Sequence, residues 1–205
     1  MIPSFAFLVA ALILAVTPGP GIAYVVARTA AGGRAEGLAS CVGTALGGML
    51  HVGAAALGLS VLLARSAAAF SVVKYLGAAY LVYLGIRLLL SKASQRQLHA
   101  TSTGPRRALL EGVLVEALNV KTALFFLAFL PQFLASGPSV VIQLVVMGTV
   151  CVVLNTLVDV VAVLGAARLL RSEASAQPRA KLLHQASGIT LLSLGLYVAA
   201  SRRGA

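Results

Sequence analysis

The chain has 205 residues, of which 60% are hydrophobic and only 10% charged, with a mean hydropathy of +0.98. Soluble domains are about a quarter charged, so a soluble globular fold is excluded and an integral membrane protein is expected. The net charge of +11 comes from basic residues set between apolar runs. That is the pattern of cytoplasmic loops and not of a nucleic-acid-binding patch, so no nucleic-acid partner is expected.

No charged residue lies between Met1 and Ala27, nor between Glu36 and Arg65. Runs of that length exceed the ~20 residues that cross a hydrocarbon core, and they predict helices, since barrel strands are short and alternating. The first helix is expected near 4–27. It lacks a basic n-region and a clear cleavage site, which favours a retained helix over a signal peptide. Inside it stands Thr17-Pro18-Gly19-Pro20-Gly21. Proline removes a backbone donor and glycine is a poor helix former, so the helix is expected to break there. In lipid such a break is tolerated only where it faces protein or a watery cavity. The new helix N-terminus beyond it attracts an anion.

Helix 2 is expected near 37–64, with Gly43, Gly47 and Gly48 forming a small-residue face for close helix approach. His51 in this helix is a candidate for protonation near neutral pH or for a helix contact. Helix 3 is expected near 69–90, with Lys74 snorkelling to the interface. The polar stretch 93–107 follows as the one real linker. Helix 4, near 108–134, carries a second polar interruption, "EALNVKTALFF", with Glu116, Asn119 and Lys121. Glu111 lies nearer the cytoplasmic end and reads as solvated. Helix 5 is expected near 139–167 and holds Asp159, flanked by apolar residues, with Asn155 one turn earlier on the same face. Helix 6 is expected near 183–201. Cys41 and Cys151 lie singly in apolar runs and read as packing residues; two isolated cysteines make neither a disulfide framework nor a zinc site.

The expected fold is therefore all-α. It is a polytopic membrane protein of six transmembrane helices in one domain, 1–205, built as a 3+3 inverted repeat. Repeat one covers about 1–92 and repeat two about 108–205. The loops after helices 1, 3 and 5 carry most of the basic residues. The positive-inside rule puts them in the cytoplasm and both termini outside. Arg202 and Arg203 argue the other way locally. Paired mid-helix interruptions in two such halves point to the binding site of an inverted-repeat transporter.

Intramembrane ionisable residues are costly and by default functional. Asp159 fits a proton-carrying or amine-binding role, or a structural ion pair with Lys121. Lys121 either attracts a substrate carboxylate or neutralises Asp159. Thr17 and the backbone of Pro18, Gly19 and Pro20 are expected to hold a substrate carboxylate. Asp159, with Asn119, is expected to hold an ammonium or exchange a proton. Glu116 and His51 are further proton-coupling candidates. The expected partners are a small zwitterionic substrate and the lipid bilayer. No metal and no cofactor is expected. An enzyme is disfavoured, because the chain has neither G-x-S-x-G nor H-E-x-x-H. A channel, or a transporter for another small solute, stays open as the alternative.

"TPGP" in helix 1, "GRAEGLASCVGTALGGMLHVGAAALGL" through helix 2, "KYLGAAYLVYLGIRLL" in helix 3 and "ALNVKTALFFLAFLPQF" in helix 4 together resemble the LysE/RhtB family of amino-acid exporters. The likeness is strong to about residue 135 and weaker beyond. It implies a bacterial inner-membrane exporter of amino acids such as lysine, threonine or homoserine, coupled to the proton motive force, and it admits a homodimer. One position departs: the family has proline between the asparagine and lysine of helix 4, where this chain has Val120. Valine restores a backbone donor, which predicts a less broken helix 4.

Overall fold

The computed structural model describes residues 3–59, 66–90, 101–135 and 139–169, with isolated helical positions between 185 and 200. The described chain is helical, in the order α1 (Phe5–Val16), α2 (Pro20–Ala54), α3 (Ala67–Leu90), α4 (Pro105–Ala117), α5 (Val120–Leu124) and α6 (Val140–Leu169). A π-helical turn, Ala55–Leu59, extends α2; a π turn, Phe125–Phe129, and a 3-10 turn, Leu130–Phe133, extend α5. Among the described residues no strand is present. Two stretches are long and apolar enough to cross a membrane, Pro20–Gly58 and Val140–Ala166. The pair Pro105–Ala117 and Val120–Phe133, bent by 42°, makes a third if taken as one span.

Both sequence interruptions are breaks. Ser4 caps α1 by accepting from the Phe7 N–H at 3.2 Å, and α1 ends at Val16, just before Pro18. The chain runs extended through Thr17 and Gly19 and restarts with Pro20 at the first position of α2. There its missing N–H is no loss and its fixed φ suits the helix. The second break falls between α4 and α5, at Leu118–Asn119.

A third discontinuity lies at Gly33, where φ is +71°, a left-handed conformation that favours glycine. The chain folds back on itself there. Thr29 Oγ1 lies against Gly37, the Glu36 carboxylate lies against Gly32, and Val25 and Cys41 share one apolar cluster with Val163. Helix α2 is thus a hairpin of two arms, 20–32 and 34–54. The first arm continues the broken α1 and the second is the helix expected near 37–64.

The second arm lies on α4 with glycine in the seam. A Cβ at Gly43 would strike the Leu109 carbonyl oxygen, one at Gly47 would come within 2.6 Å of the Val113 oxygen, and one at Gly112 within 2.9 Å of the Ser40 oxygen. These contacts are backbone to backbone, as the small-residue face predicts. Gly48 turns instead toward Val152 of α6. Phe7, Leu14, Val52, Phe125, Phe126, Leu144 and Met147 belong to the main core cluster. Phe125 stacks on Phe129 at 4.9 Å, and Phe129 and Phe7 both pack on Phe133 at 5.1 and 5.5 Å. A Cβ at Gly195 would meet the Ala78 carbonyl oxygen at 2.8 Å, so the last helical segment packs on α3. The rest of the helix expected near 183–201, residues 93–100 of the linker, and Arg65, Lys92, Arg96, Arg171, Arg179, Lys181, Arg202 and Arg203 lie outside the described residues.

Candidate functional site

The first break exposes carbonyls that no helical N–H can reach. In a continuous helix residue 18 would donate to the carbonyl of residue 14. Pro18 cannot. Lys121 supplies the missing donor: its Nζ donates to Leu14 O at 3.2 Å and to Thr17 O at 2.9 Å. The ammonium is buried, and it sits where the C-terminal end of α1 is electronegative. The Thr17 hydroxyl donates to Ile13 O at 2.6 Å. In this conformation that proton is therefore committed to the helix itself.

The second break is capped from the other direction. A continuous helix would pair residue 120 with Glu116 O. Here Glu116 O accepts instead from the Asn119 N–H at 3.0 Å and from His51 Nε2 at 2.8 Å. A carbonyl only accepts, so Nε2 carries the ring proton. Asn119 caps the new helix, its Oδ1 accepting from the Lys121 N–H at 3.1 Å, which is the role of an N-cap asparagine. Helix 4 is thus broken without the family proline. This corrects the expectation of a less broken helix: Val120 sits at the first helical position, where an N–H needs no intrahelical partner.

The two breaks interlock. A Cβ at Gly19 would lie 3.1 Å from Lys121 Nζ, and one at Gly21 would lie 2.7 Å from Glu116 Oε2. The prolines end the first helix; these two glycines make room for Lys121 and Glu116. The buried Glu116 carboxylate accepts from Asn119 Nδ2 at 2.9 Å and from Thr122 Oγ1 at 2.6 Å. It packs on Gly21 in the first turn of α2, where the sequence led to the expectation of a substrate carboxylate.

Asp159 of α6 is buried and accepts from Thr44 Oγ1 at 3.0 Å. No ion pair joins it to Lys121 among the described residues. Asp159 and Glu116 instead line one cavity, together with Thr44, Thr122, Asn155 and Phe126. The space open to the centre of a water-sized sphere there is only about 10 Å³, room for one water and none for an amino acid. The site is closed. Asn155 shares the stripe with Asp159 as its spacing predicts. Thr17, Pro18, Gly19, Pro20, Asn119, Lys121 and His51 do not line the cavity; they build the two breaks that flank it. Thr44 and Thr122 were not singled out in the sequence. Each lies beside a residue that was, Gly43 and Lys121, but a lone threonine carries no signal.

Comparison with known proteins follows the same direction. The family model for LysE type translocator matches residues 12–202. A homoserine/homoserine lactone efflux protein of Salmonella typhimurium is 29% identical over 203 residues, covering 97% of this chain and 96% of that protein. A leucine efflux protein of Salmonella choleraesuis is 31% identical over 130 residues, 62% of this chain and 61% of that protein. The uncharacterized membrane protein YrhP of Bacillus subtilis is 31% identical over 162 residues, 74% of this chain and 77% of that protein. No solved structure matches.

Proposed function

The chain belongs to the LysE type translocator family, whose members are transporters and not enzymes, and from that premise we propose that it exports a small zwitterionic amino acid or a close derivative in exchange for protons. The relatives named as efflux proteins for homoserine, homoserine lactone and leucine support a proposed substrate among small or medium α-amino acids and their derivatives.

The observation that carries this reading is the pair of buried carboxylates, Glu116 and Asp159, facing one cavity between two broken helices. Lys121 is committed to Leu14 O and Thr17 O. The wall therefore favours a positive group: the ammonium of a substrate or a proton. The substrate carboxylate is assigned to the first turn of α2, which requires Glu116 to move aside. With room for a single water, the site suits an occluded state of an alternating-access carrier better than an open channel.

The proposed architecture is six spans in two inverted repeats, about 1–92 and 108–205 in a single domain. It is supported by the matching layout of the two leading helices. Twelve residues of α1 precede the first break and thirteen of α4 precede the second. Broken helices at corresponding places in two halves flank the substrate site of inverted-repeat carriers. The proposed location is the bacterial inner membrane with both termini outside, following the charge of the loops, and the proposed assembly is a homodimer.

The test is efflux and counterflow from proteoliposomes loaded with mixed amino acids, each followed by mass spectrometry with and without an imposed pH gradient. Selective, gradient-dependent release of one or a few amino acids is expected. Absence of any amino-acid flux from folded protein would overturn the reading.

A further inference from the structure

At the end of the fold remote from the Phe133 stack, the α2 hairpin is fastened to the segment that enters α4. Glu36 Oε1 accepts from Ser102 Oγ at 2.6 Å and from the backbone N–H groups of Thr103 and Gly104 at 3.1 and 2.8 Å. Arg28 donates to Thr103 Oγ1 at 2.9 Å and Thr101 O at 3.1 Å, and pairs with the Glu111 carboxylate. Tyr24 closes the cluster by donating to Ala108 O at 2.8 Å. Arg28 is 8% exposed and Glu36 2%, although the sequence places both beside a loop and Glu111 reads from it as solvated.

Every one of these bonds joins residues 24–36 of the proposed first repeat either to the end of the linker, residues 101–104, or to the start of the proposed second repeat at Ala108 and Glu111. A buried ion cluster is a poor way to gain stability, because desolvation of the charges offsets their attraction; registry and switching are its best-attested uses. Among the described residues Glu36 Oε2 accepts no hydrogen bond, and Arg28 Nη1 stands 3.9 Å from it. Fully paired buried networks rigidify a core, and this one is not fully paired among the described residues. The same elements that it ties, the second arm of α2 and α4, supply Thr44 and Glu116 to the closed cavity.

We propose that the Arg28–Glu36–Glu111 cluster is the latch of a gate: it holds the cavity shut toward the end of the molecule that bears Arg28 and Arg107, and its release opens the cavity to that face. The latch rests on the transport reading, but its test does not depend on flux. Cys151 lines the cavity and is buried, and Cys41 is the only other cysteine. In a Cys41→Ser background Cys151 therefore reports access to the cavity.

The experiment measures the rate at which a charged, membrane-impermeant methanethiosulfonate modifies Cys151, in inverted vesicles and in right-side-out spheroplasts. Arg28→Ala is expected to raise the rate at least tenfold from one face only, the face on which an impermeant label reaches a cysteine placed at Arg106. Glu111→Gln, which keeps the shape of a partly exposed side chain, is expected to raise it severalfold from the same face and guards against misfolding of the first variant. Unchanged protection of Cys151 in the folded Glu111→Gln protein, or equal increases from both faces, would overturn the latch. Loss of amino-acid flux in the parent protein would instead overturn the transport reading and leave the labelling result standing.

Discussion

The two helix breaks reach one geometry by different chemistry. At the first, Gly19 takes an extended conformation and Pro20 starts the next helix. At the second, Asn119 takes the extended position, caps with its own side chain, and Val120 starts the next helix. Proline at the first helical position and asparagine before it are alternative devices for the same turn. The stranded carbonyls differ in the same way. Leu14 O and Thr17 O receive an ammonium from the second break, whereas Glu116 O receives a backbone N–H and an imidazole from the second arm of α2. Each break receives a donor from the other half of the chain, Lys121 at the first and His51 at the second. A helix interruption in a membrane protein is therefore best identified by its caps, and a proline is one of several ways to make it.

Substitutions at the caps separate the two breaks. Lys121→Met has the largest expected effect, because it strands two buried carbonyls at about 1–3 kcal/mol each. The melting temperature in detergent should fall more than for any other variant of this set; a protein as stable as the parent would show that the first break does not depend on the second. Asn119→Ala comes next. It removes an N-cap, about 1 kcal/mol, and a donor to Glu116, and is expected to lower the melting temperature and leave the Glu116 carboxylate looser. His51→Phe keeps ring packing on Phe126 and leaves Glu116 O its bond from Asn119. A loss of about 0.5–1 kcal/mol is expected, with transport retained if His51 is a cap and lost if it carries the coupled proton. Val120→Pro is expected to change stability by less than about 0.5 kcal/mol. Proline suits the first helical turn, and Asn119, with φ of −74° and ψ of 100°, is already outside the α region that a following proline disfavours. A large loss there would mean that the Val120 N–H has a role the caps do not explain.

Much of this was legible in the sequence. The location of both breaks, the glycine seam at Gly43 and Gly47, and the shared face of Asn155 and Asp159 follow from local rules: missing donors, small side chains and a period of 3.6. The details that turned out differently are long-range. Lys121 lies 104 residues from Thr17 and His51 lies 65 from Glu116, and no local pattern indicates which carbonyl a buried cation will meet. At Val120 the absent proline suggests a continuous helix, whereas the asparagine before it is the residue that caps the break. From the sequence Arg28 reads as a loop charge and Glu111 as a solvated residue near the cytoplasmic end of helix 4, since a charge count reports the side of the membrane and says nothing of partners. The reversal of α2 at Gly33 shows only in its positive φ.

The most direct measurement is pH-gradient-driven efflux by Asp159→Asn, compared with the parent protein at equal reconstitution and equal melting temperature. Asparagine keeps an acceptor for Thr44 Oγ1 and removes the exchangeable charge. With Asp159 as a coupling carboxylate of the cavity, gradient-driven transport falls to the level of empty liposomes while the protein stays folded. Gradient-driven transport at the parental rate would contradict that assignment.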